Sequence, residues 1–255
     1  MKIFFFDIDG TLLEEGKNVI APQVIQSVNK LSENHKVFIC TGRSLKGAEP
    51  ILNQLNVDGY VLSNGQEVVI EGQEIYTQFF RKSKALEVVE LIREHDASWS
   101  YENRDGINVL KSSNSQELVD LLIGYGFTFT KEVEKLNLTD VFQIWAFGQE
   151  VKVIADQLKD EFHYYQWTNT TLEITPCKEG KGKGVEIVKK HYQNQGVEEI
   201  ITHGFGDGLN DFTMMEKVDI SIAMGNADER LKVVCDIITD NVTDNGLINA
   251  IDKLV

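Results

Sequence analysis

A chain of 255 residues carrying 25 Lys and Arg against 40 Asp and Glu has a formal charge of −15 at pH 7. A balance this acidic repels nucleic-acid backbones and anionic membrane surfaces, so neither is expected as a partner. With 42% hydrophobic and 25% charged residues, the composition supports a packed core and excludes disorder, collagen and coiled coil.

In chain order, residues 3–6 form an apolar run too short for a signal-peptide core, and they read as a buried strand that ends in DIDGT at 7–11. Val24, Val28 and Leu31 recur at helical spacing behind Pro22, a favoured first-turn residue. Residues 37–40 are the next strand, ending in TGRS at 41–44. Leu45, Ala48, Ile51, Leu52 and Leu55 then mark a helix that Pro50 kinks or shortens. A third strand at 60–62 ends in SNG. Short apolar strands alternating with helices predict an α/β fold, a parallel sheet wrapped by helices, whose ligands sit beyond the carboxyl ends of the strands. The polar motifs fall at those ends.

Between 66 and 80 two short strands around Glu71 and Gly72 predict a hairpin leaving the core. Residues 82–175 then read as a small α+β insert. Its helices are expected near 83–96, 115–124 and 150–159, and its strands at 107–110, 140–147, 162–167 and 172–175. After Pro176 the core rhythm returns: a helix near 183–193, a strand at 200–202, a helix near 211–217, a strand at 220–224 and a short one at 236–239. The expected organisation is a core of 1–81 and 177–255 around an inserted cap of 82–176, with hinges near 80–83 and 175–181 that let the insert rock as a lid. Cys40, Cys177 and Cys235 form no CxxC pair, read as reduced thiols, and point to a cytoplasmic location.

Asp7 and Asp9 carry the sharpest chemical signal. A buried strand delivers two carboxylates two residues apart, on one side by alternation, and Gly10 permits a tight turn after them. Two adjacent anions are costly unless a cation joins them. Mg²⁺ takes one or two carboxylates, waters and a substrate phosphate oxygen, so a further carboxylate is expected elsewhere. GFGDGLND at 204–211 supplies Asp207 and Asp211 just past a strand, at a helix start. Asp7 can attack phosphorus to form an aspartyl-phosphate, and Asp9 can protonate the leaving oxygen and then activate water. The phosphoryl oxygens need fixed donors and cations, which Mg²⁺, the Thr41 hydroxyl and one lysine, taken as Lys181, supply.

Through DIDGT at 7–11, Thr41 after a strand, Lys181 and GDGLND at 206–211, the sequence resembles the haloacid dehalogenase superfamily over essentially its whole length. Its tail, GDGLNDFTMM, then IAMGNA at 222–227, then TDNGL, looks like the Cof-type sugar-phosphate phosphatases. The resemblance implies a Rossmann-like core with an α/β cap and an Mg²⁺-dependent phosphatase acting on small phosphorylated metabolites. It implies Asp7 as nucleophile, Asp9 as acid/base and backbone-carbonyl metal ligand, and Thr41 and Lys181 as phosphate binders. Asp207 becomes a metal ligand and Asp211 a support of the metal shell. Gly42, Arg43, Asn64 and Asn210 sit beside the motifs at the phosphate. A phosphomutase using the same aspartyl-phosphate and a non-catalytic phosphometabolite sensor are the alternative functions, and a monomer or weak homo-oligomer is expected. The chain departs from the pattern at KEGKGKGV, where Lys178, Lys181 and Lys183 compete, with Lys181 matching first and Lys183 second.

Competing motifs fail on spacing. An EF-hand needs Gly at its sixth position, whereas Gly10 stands fourth from Asp7. GFGDG has Leu209 where a dinucleotide fingerprint needs glycine, and GKGKG lacks Walker spacing. The five histidines show no ligand spacing. Trp99, Trp145 and Trp167 either stack on a substrate or fill the core of the insert, the commoner arrangement. Arg104 and Asp105 read as a solvated turn.

Overall fold

The computed structural model describes residues 1–14, 16–112, 115–124, 127, 129–158, 162–176 and 178–255. Cys177 and the end of the helix expected at 150–159 lie outside the described residues. The elements run β1 (Lys2–Phe6), α1 (Pro22–Ser32), β2 (Lys36–Cys40), α2 (Leu45–Leu52), β3 (Gly59–Leu62), β4 (Glu67–Ile70), β5 (Gln73–Thr77), α3 (Lys82–Glu94), β6 (Ser98–Asn103), β7 (Gly106–Leu110), α4 (Ser115–Gly124), β8 (Thr130–Val133), β9 (Val141–Phe147), α5 (Val151–Gln157), β10 (His163–Thr168), β11 (Thr171–Thr175), α6 (Gly180–Asn194), β12 (Ile201–Gly206), α7 (Phe212–Met215), β13 (Ile220–Ala223), α8 (Glu229–Val234), β14 (Ile237–Ile238) and α9 (Gly246–Leu254).

Contacts divide the chain into two compact units, one of Met1–Arg43, Ala48–Thr77 and Glu179–Val255, the other of Ser44–Gly47 and Gln78–Lys178. The first holds a sheet of order β14-β13-β12-β1-β2-β3-β4-β5, parallel from β14 to β3. Its fold is the α/β, Rossmann-like one. β1 is apolar at every position from Ile3 to Phe6 because both sheet faces are covered. Phe4 and Phe6 pack on one face with Val24, Val28 and Ile51, while Ile3 and Phe5 pack on the other with Val185, Val188 and Met214. Replacing one of these phenylalanines by alanine typically costs about 3–5 kcal/mol.

At the opposite edge from the motifs, an aspartate standing just before a strand accepts the backbone N–H of the neighbouring strand three times over. Asp58 takes Val37 at 2.9 Å, Asp219 takes Thr202 at 2.8 Å and Asp236 takes Ser221 at 2.8 Å. These three carboxylates are spent on strand register.

The structure corrects the sequence reading at several places. The hairpin of 66–80 stays in the core sheet: β4 and β5 pair antiparallel to β3 and to each other and form its edge. β12 runs on to Gly206 instead of ending at 202, because the glycines that read as loop are strand positions crowded by neighbours. A Cβ on Gly206 would fall 2.4 Å from Cγ of Asp211. The helix expected from 183 begins at Gly180, which puts Lys181 in its first turn. α8, β6 and β8 carry too few apolar residues in a regular period to have been read, whereas α9, absent from the expected elements, does carry one in Leu247, Ala250, Ile251 and Leu254.

The second unit is a six-stranded sheet of order β10-β11-β9-β6-β7-β8. Ala85, Val88 and Ile92 of α3 and Val151 and Ile154 of α5 pack with Tyr101, Ile144, Ala146, Leu172 and Ile174 on one of its faces. Arg104 and Asp105 form an exposed turn, with the Arg104 guanidinium lying 5.2 Å from the Phe79 ring centroid. No helix among the described residues is long and apolar enough to cross a membrane.

Candidate active site

β1 lies between β12 and β2, and its end carries Asp7, whose N–H donates to the Phe205 carbonyl at 3.0 Å. The strand stops at Phe6, so alternation does not place Asp9, contrary to the sequence reading. A turn does: Gly10, at φ +76°, donates to the Leu13 carbonyl at 2.8 Å, and the two carboxylates part company. Asp7 enters a cluster with Asp207 and Asp211 in which one oxygen from each lies within 4.8 Å of the others. Asp9 instead meets Arg43, whose Nε and Nη2 donate to its two carboxylate oxygens at 2.9 and 2.5 Å, while Nη1 reaches Asn18 Oδ1 at 3.1 Å. Such a two-pronged pair fixes both distance and plane of the carboxylate.

Asp207 follows β12, and its position depends on the absence of a side chain at residue 10. A Cβ on Gly10 would sit 2.0 Å from Asp207 Oδ2. Gly10→Ala is therefore expected to displace Asp207 and to lower metal affinity at least tenfold, beyond the strain of a non-glycine residue at that φ. Calorimetric titration of the variant with Mg²⁺ measures it, and unchanged affinity would count against the role of this close approach. Asp211, fully buried, is already satisfied by protein: Oδ2 accepts the backbone N–H of Asp207 at 3.0 Å and of Gly208 at 2.9 Å, and Oδ1 accepts Lys181 Nζ at 2.6 Å. It shapes the loop that presents Asp207.

Lys181 Nζ donates to Asp7 Oδ1 at 2.5 Å as well. Of the three lysines in competition, Lys181, the first match, joins the carboxylates, whereas Lys183, the second, lies 3.8 Å from Glu179, the residue just before α6. Burial lowers the Lys181 ammonium, but Asp211 and Asp7 outweigh it and the net shift is upward, so the side chain stays charged. Burial pushes Asp7 up to about 7, with Asp211 and Asp9 adding to it against the pull of Lys181. Lys181 holds two of the three carboxylates, Asp7 and Asp211, and the half-buried Asp207 adds a third negative charge to the cluster. The donor set fits a divalent cation: hard carboxylate oxygens from two distant segments that converge on one place.

β2 and β3 bring the next residues. Thr41 is buried; its N–H donates to Val61 O at 2.9 Å, and its hydroxyl accepts the Arg43 N–H at 3.1 Å. Ser63 and Asn64 both adopt left-handed backbone, at φ 49° and 53°, a strained pair that seats the Asn64 amide against Gly42. Asn210 Nδ2 donates to Asn64 Oδ1 at 2.9 Å, so Gly42, Asn64 and Asn210 form one group from three chain segments. Asn226 was not picked out from the sequence. Its Nδ2 donates to Gly10 O at 2.9 Å and to Asp207 Oδ2 at 3.2 Å, and its Oδ1 accepts the Val242 N–H. The signal is present in IAMGNA, whose single asparagine it is.

Known proteins resemble this chain along its length. The haloacid dehalogenase-like hydrolase profile matches residues 4–251. "Putative phosphatase YkrA" of Bacillus subtilis (strain 168) is 30% identical over 258 residues, covering 99% of this chain and 97% of its own. A phosphoglycolate phosphatase of Sulfurisphaera tokodaii is 24% identical across 98% of this chain and 92% of its own. Among solved structures, the HAD subclass IIB sugar phosphatase BT4131 superposes with a TM-score of 0.80 at 24% identity, covering 100% of this chain and 99% of its own. With a profile spanning nearly its whole length and a relative at that identity, this chain belongs to the haloacid dehalogenase-like hydrolases.

Proposed function

We propose that this chain, a phosphoric monoester hydrolase by family, removes phosphate from small phosphorylated metabolites, sugar phosphates first among them, through an acyl phosphate formed on Asp7. The observation that carries the reading is the buried Asp7 carboxylate, held at 2.5 Å by Lys181 within a cluster of three acids from two distant segments. Asp7 and Asp207, with the Asp9 backbone carbonyl, would hold Mg²⁺, and Asp211 would brace them. Bound there, the ion neutralises charge on the phosphoryl oxygens and lets an anionic ester approach an anionic nucleophile.

The protein's own residues do the rest. An Asp7 oxygen forms the new bond to phosphorus as the bond to the leaving oxygen breaks, and Asp9 gives that oxygen a proton. Water then attacks phosphorus, the bond to Asp7 breaks, and Asp9 takes the water's proton. Arg43 orients the Asp9 carboxylate. Lys181, Thr41, Gly42, Asn64 and Asn210 hold the phosphoryl oxygens. The inserted unit is assigned the part of a lid that chooses the leaving group.

A panel of phosphomonoesters containing aldose phosphates and 2-phosphoglycolate tests the proposal. Inorganic phosphate release is expected in Mg²⁺, lost in EDTA and regained on adding Mg²⁺ back. Release from no ester, or release indifferent to EDTA, would overturn it.

A further inference from the structure

Asn226 ties three other segments of the first unit together through one side-chain amide. Its Nδ2 donates to the Gly10 carbonyl at 2.9 Å and to Asp207 Oδ2 at 3.2 Å, and its Oδ1 accepts the Val242 N–H at 2.8 Å. The backbone on either side is held as well. The Gly225 N–H donates to Asp240 O at 2.9 Å and the Asp228 N–H donates to Asp207 O at 2.9 Å, so the loop of 225–228 grips Asp207 by main chain and side chain together.

The chemistry of the partners fixes which way round the amide sits. A backbone N–H only donates, and a carbonyl or carboxylate oxygen only accepts. Turned over, the amide would set its oxygen against the Gly10 carbonyl and the Asp207 carboxylate and its NH₂ against the Val242 N–H, and all three bonds would be lost. The Val242 N–H, at the start of the short helical turn Val242–Asp244, thus anchors Oδ1 and keeps Nδ2 aimed at Gly10 and Asp207. Those two residues stand on both segments that feed the acidic cluster, one following Asp7 and the other carrying Asp207 itself. The amide is a strut between them.

What a strut does for a cation depends on the cation. Mg²⁺ demands near-ideal octahedral geometry at short distances, whereas Ca²⁺ accepts more oxygens in looser arrangements. A carboxylate held in one orientation therefore suits Mg²⁺, and one free to swing serves Ca²⁺ nearly as well.

We infer that Asn226 is a positioning residue that holds Asp207 in the orientation Mg²⁺ requires and thereby sets a preference for Mg²⁺ over Ca²⁺. The inference rests on the reading of Asp7 and Asp207 as ligands of the cation. Calorimetric titration of the full-length chain with Mg²⁺ and with Ca²⁺ tests it. Asn226→Ala is expected to weaken Mg²⁺ binding about fivefold and Ca²⁺ binding less than about twofold. Asn226 is exposed, so that variant loses the amide and little packing. Val242→Pro removes the anchoring N–H from the other side. Asn241, at φ −64° and ψ 158°, already has the extended backbone that precedes proline, and the first position of a helical turn tolerates it. This second variant should lower the ratio of Mg²⁺ to Ca²⁺ affinity about twofold. Thermal melts in EDTA verify that both variants fold, and a merely structural loss would weaken the two cations alike. The Mg²⁺ concentration giving half-maximal phosphate release should rise in Asn226→Ala by the factor that calorimetry gives. Unchanged Mg²⁺ affinity in Asn226→Ala, or equal losses for Mg²⁺ and Ca²⁺, would overturn the inference, and a wild-type chain that binds neither cation would sink it too. If Mg²⁺ binds but no ester is hydrolysed, the phosphatase reading fails by itself, and the ratio of the two affinities still decides this one.

Discussion

Asp7→Asn is expected to reduce phosphate release by at least about 10³-fold while leaving the protein folded. The amide keeps the shape of the carboxylate and its place after β1, where the backbone N–H is bonded to Phe205. What it removes is the proposed nucleophile, and loss of a nucleophile in enzymes that form covalent intermediates typically costs several orders of magnitude. The substitution also takes one negative charge out of a crowded cluster, so the fold gains relief even as chemistry is lost. Burial and the neighbouring acids already push the Asp7 carboxyl up to about 7, and that strain disappears with the charge. A quenched-flow search for acid-stable phosphate on the protein completes the test: wild type should trap label on Asp7 and the variant none. A variant retaining a tenth or more of wild-type turnover would show that Asp7 does not attack phosphorus.

Lys181→Met is expected to lower stability by about 3–5 kcal/mol in the absence of metal, the usual result of removing one partner of a buried ion pair. Methionine fills nearly the same volume, so packing changes little. Both carboxylates the ammonium had held, Asp7 at 2.5 Å and Asp211 at 2.6 Å, are then left without their cation in a fully buried place. For a chain of this size that is a fall of roughly 10 °C in Tm. Mg²⁺ should recover part of the loss, because it adds a cation to the same cluster, and the Tm gained on adding Mg²⁺ should be larger for the variant than for wild type. Calorimetric melts with and without Mg²⁺ read both quantities. A variant as stable as wild type would mean that the ammonium offsets no buried charge.

Much of this protein is legible in the order of its residues. The unbroken apolar run of 3–6 requires a strand covered on both faces, and an acidic motif at its end lies by topology at the ligand edge of a parallel sheet. Asp7, Asp207 and Lys181 were all readable as motif positions because the chemistry proposed for them needs those residue types, and the fold brings them into one cluster. The elements that escaped for a physical reason, among them α8, β6 and β8, are short or irregular in pattern, and their identity comes from what they pack against. The edge strands β4 and β5 went astray for the same reason. A short antiparallel pair looks alike whether it closes a sheet or leaves it.

What tertiary structure alone decided is where side chains two residues apart end up. Asp7 and Asp9 share a motif, yet one turns into a cluster with residues two hundred positions away and the other into the grip of Arg43. A strand's alternation reaches only as far as the strand, and beyond Phe6 the turn at Gly10 and the neighbours supplied by β2 and β12 set the directions. The choice of Lys181 over Lys183 has the same origin. Two lysines on one helix turn are equivalent in sequence, and only the helix start at Gly180 and the burial of one face give one of them two carboxylates and the other the protein surface. Residue types announce which charges a site must hold, but electrostatic partners are chosen in three dimensions, by distance and by exclusion of water.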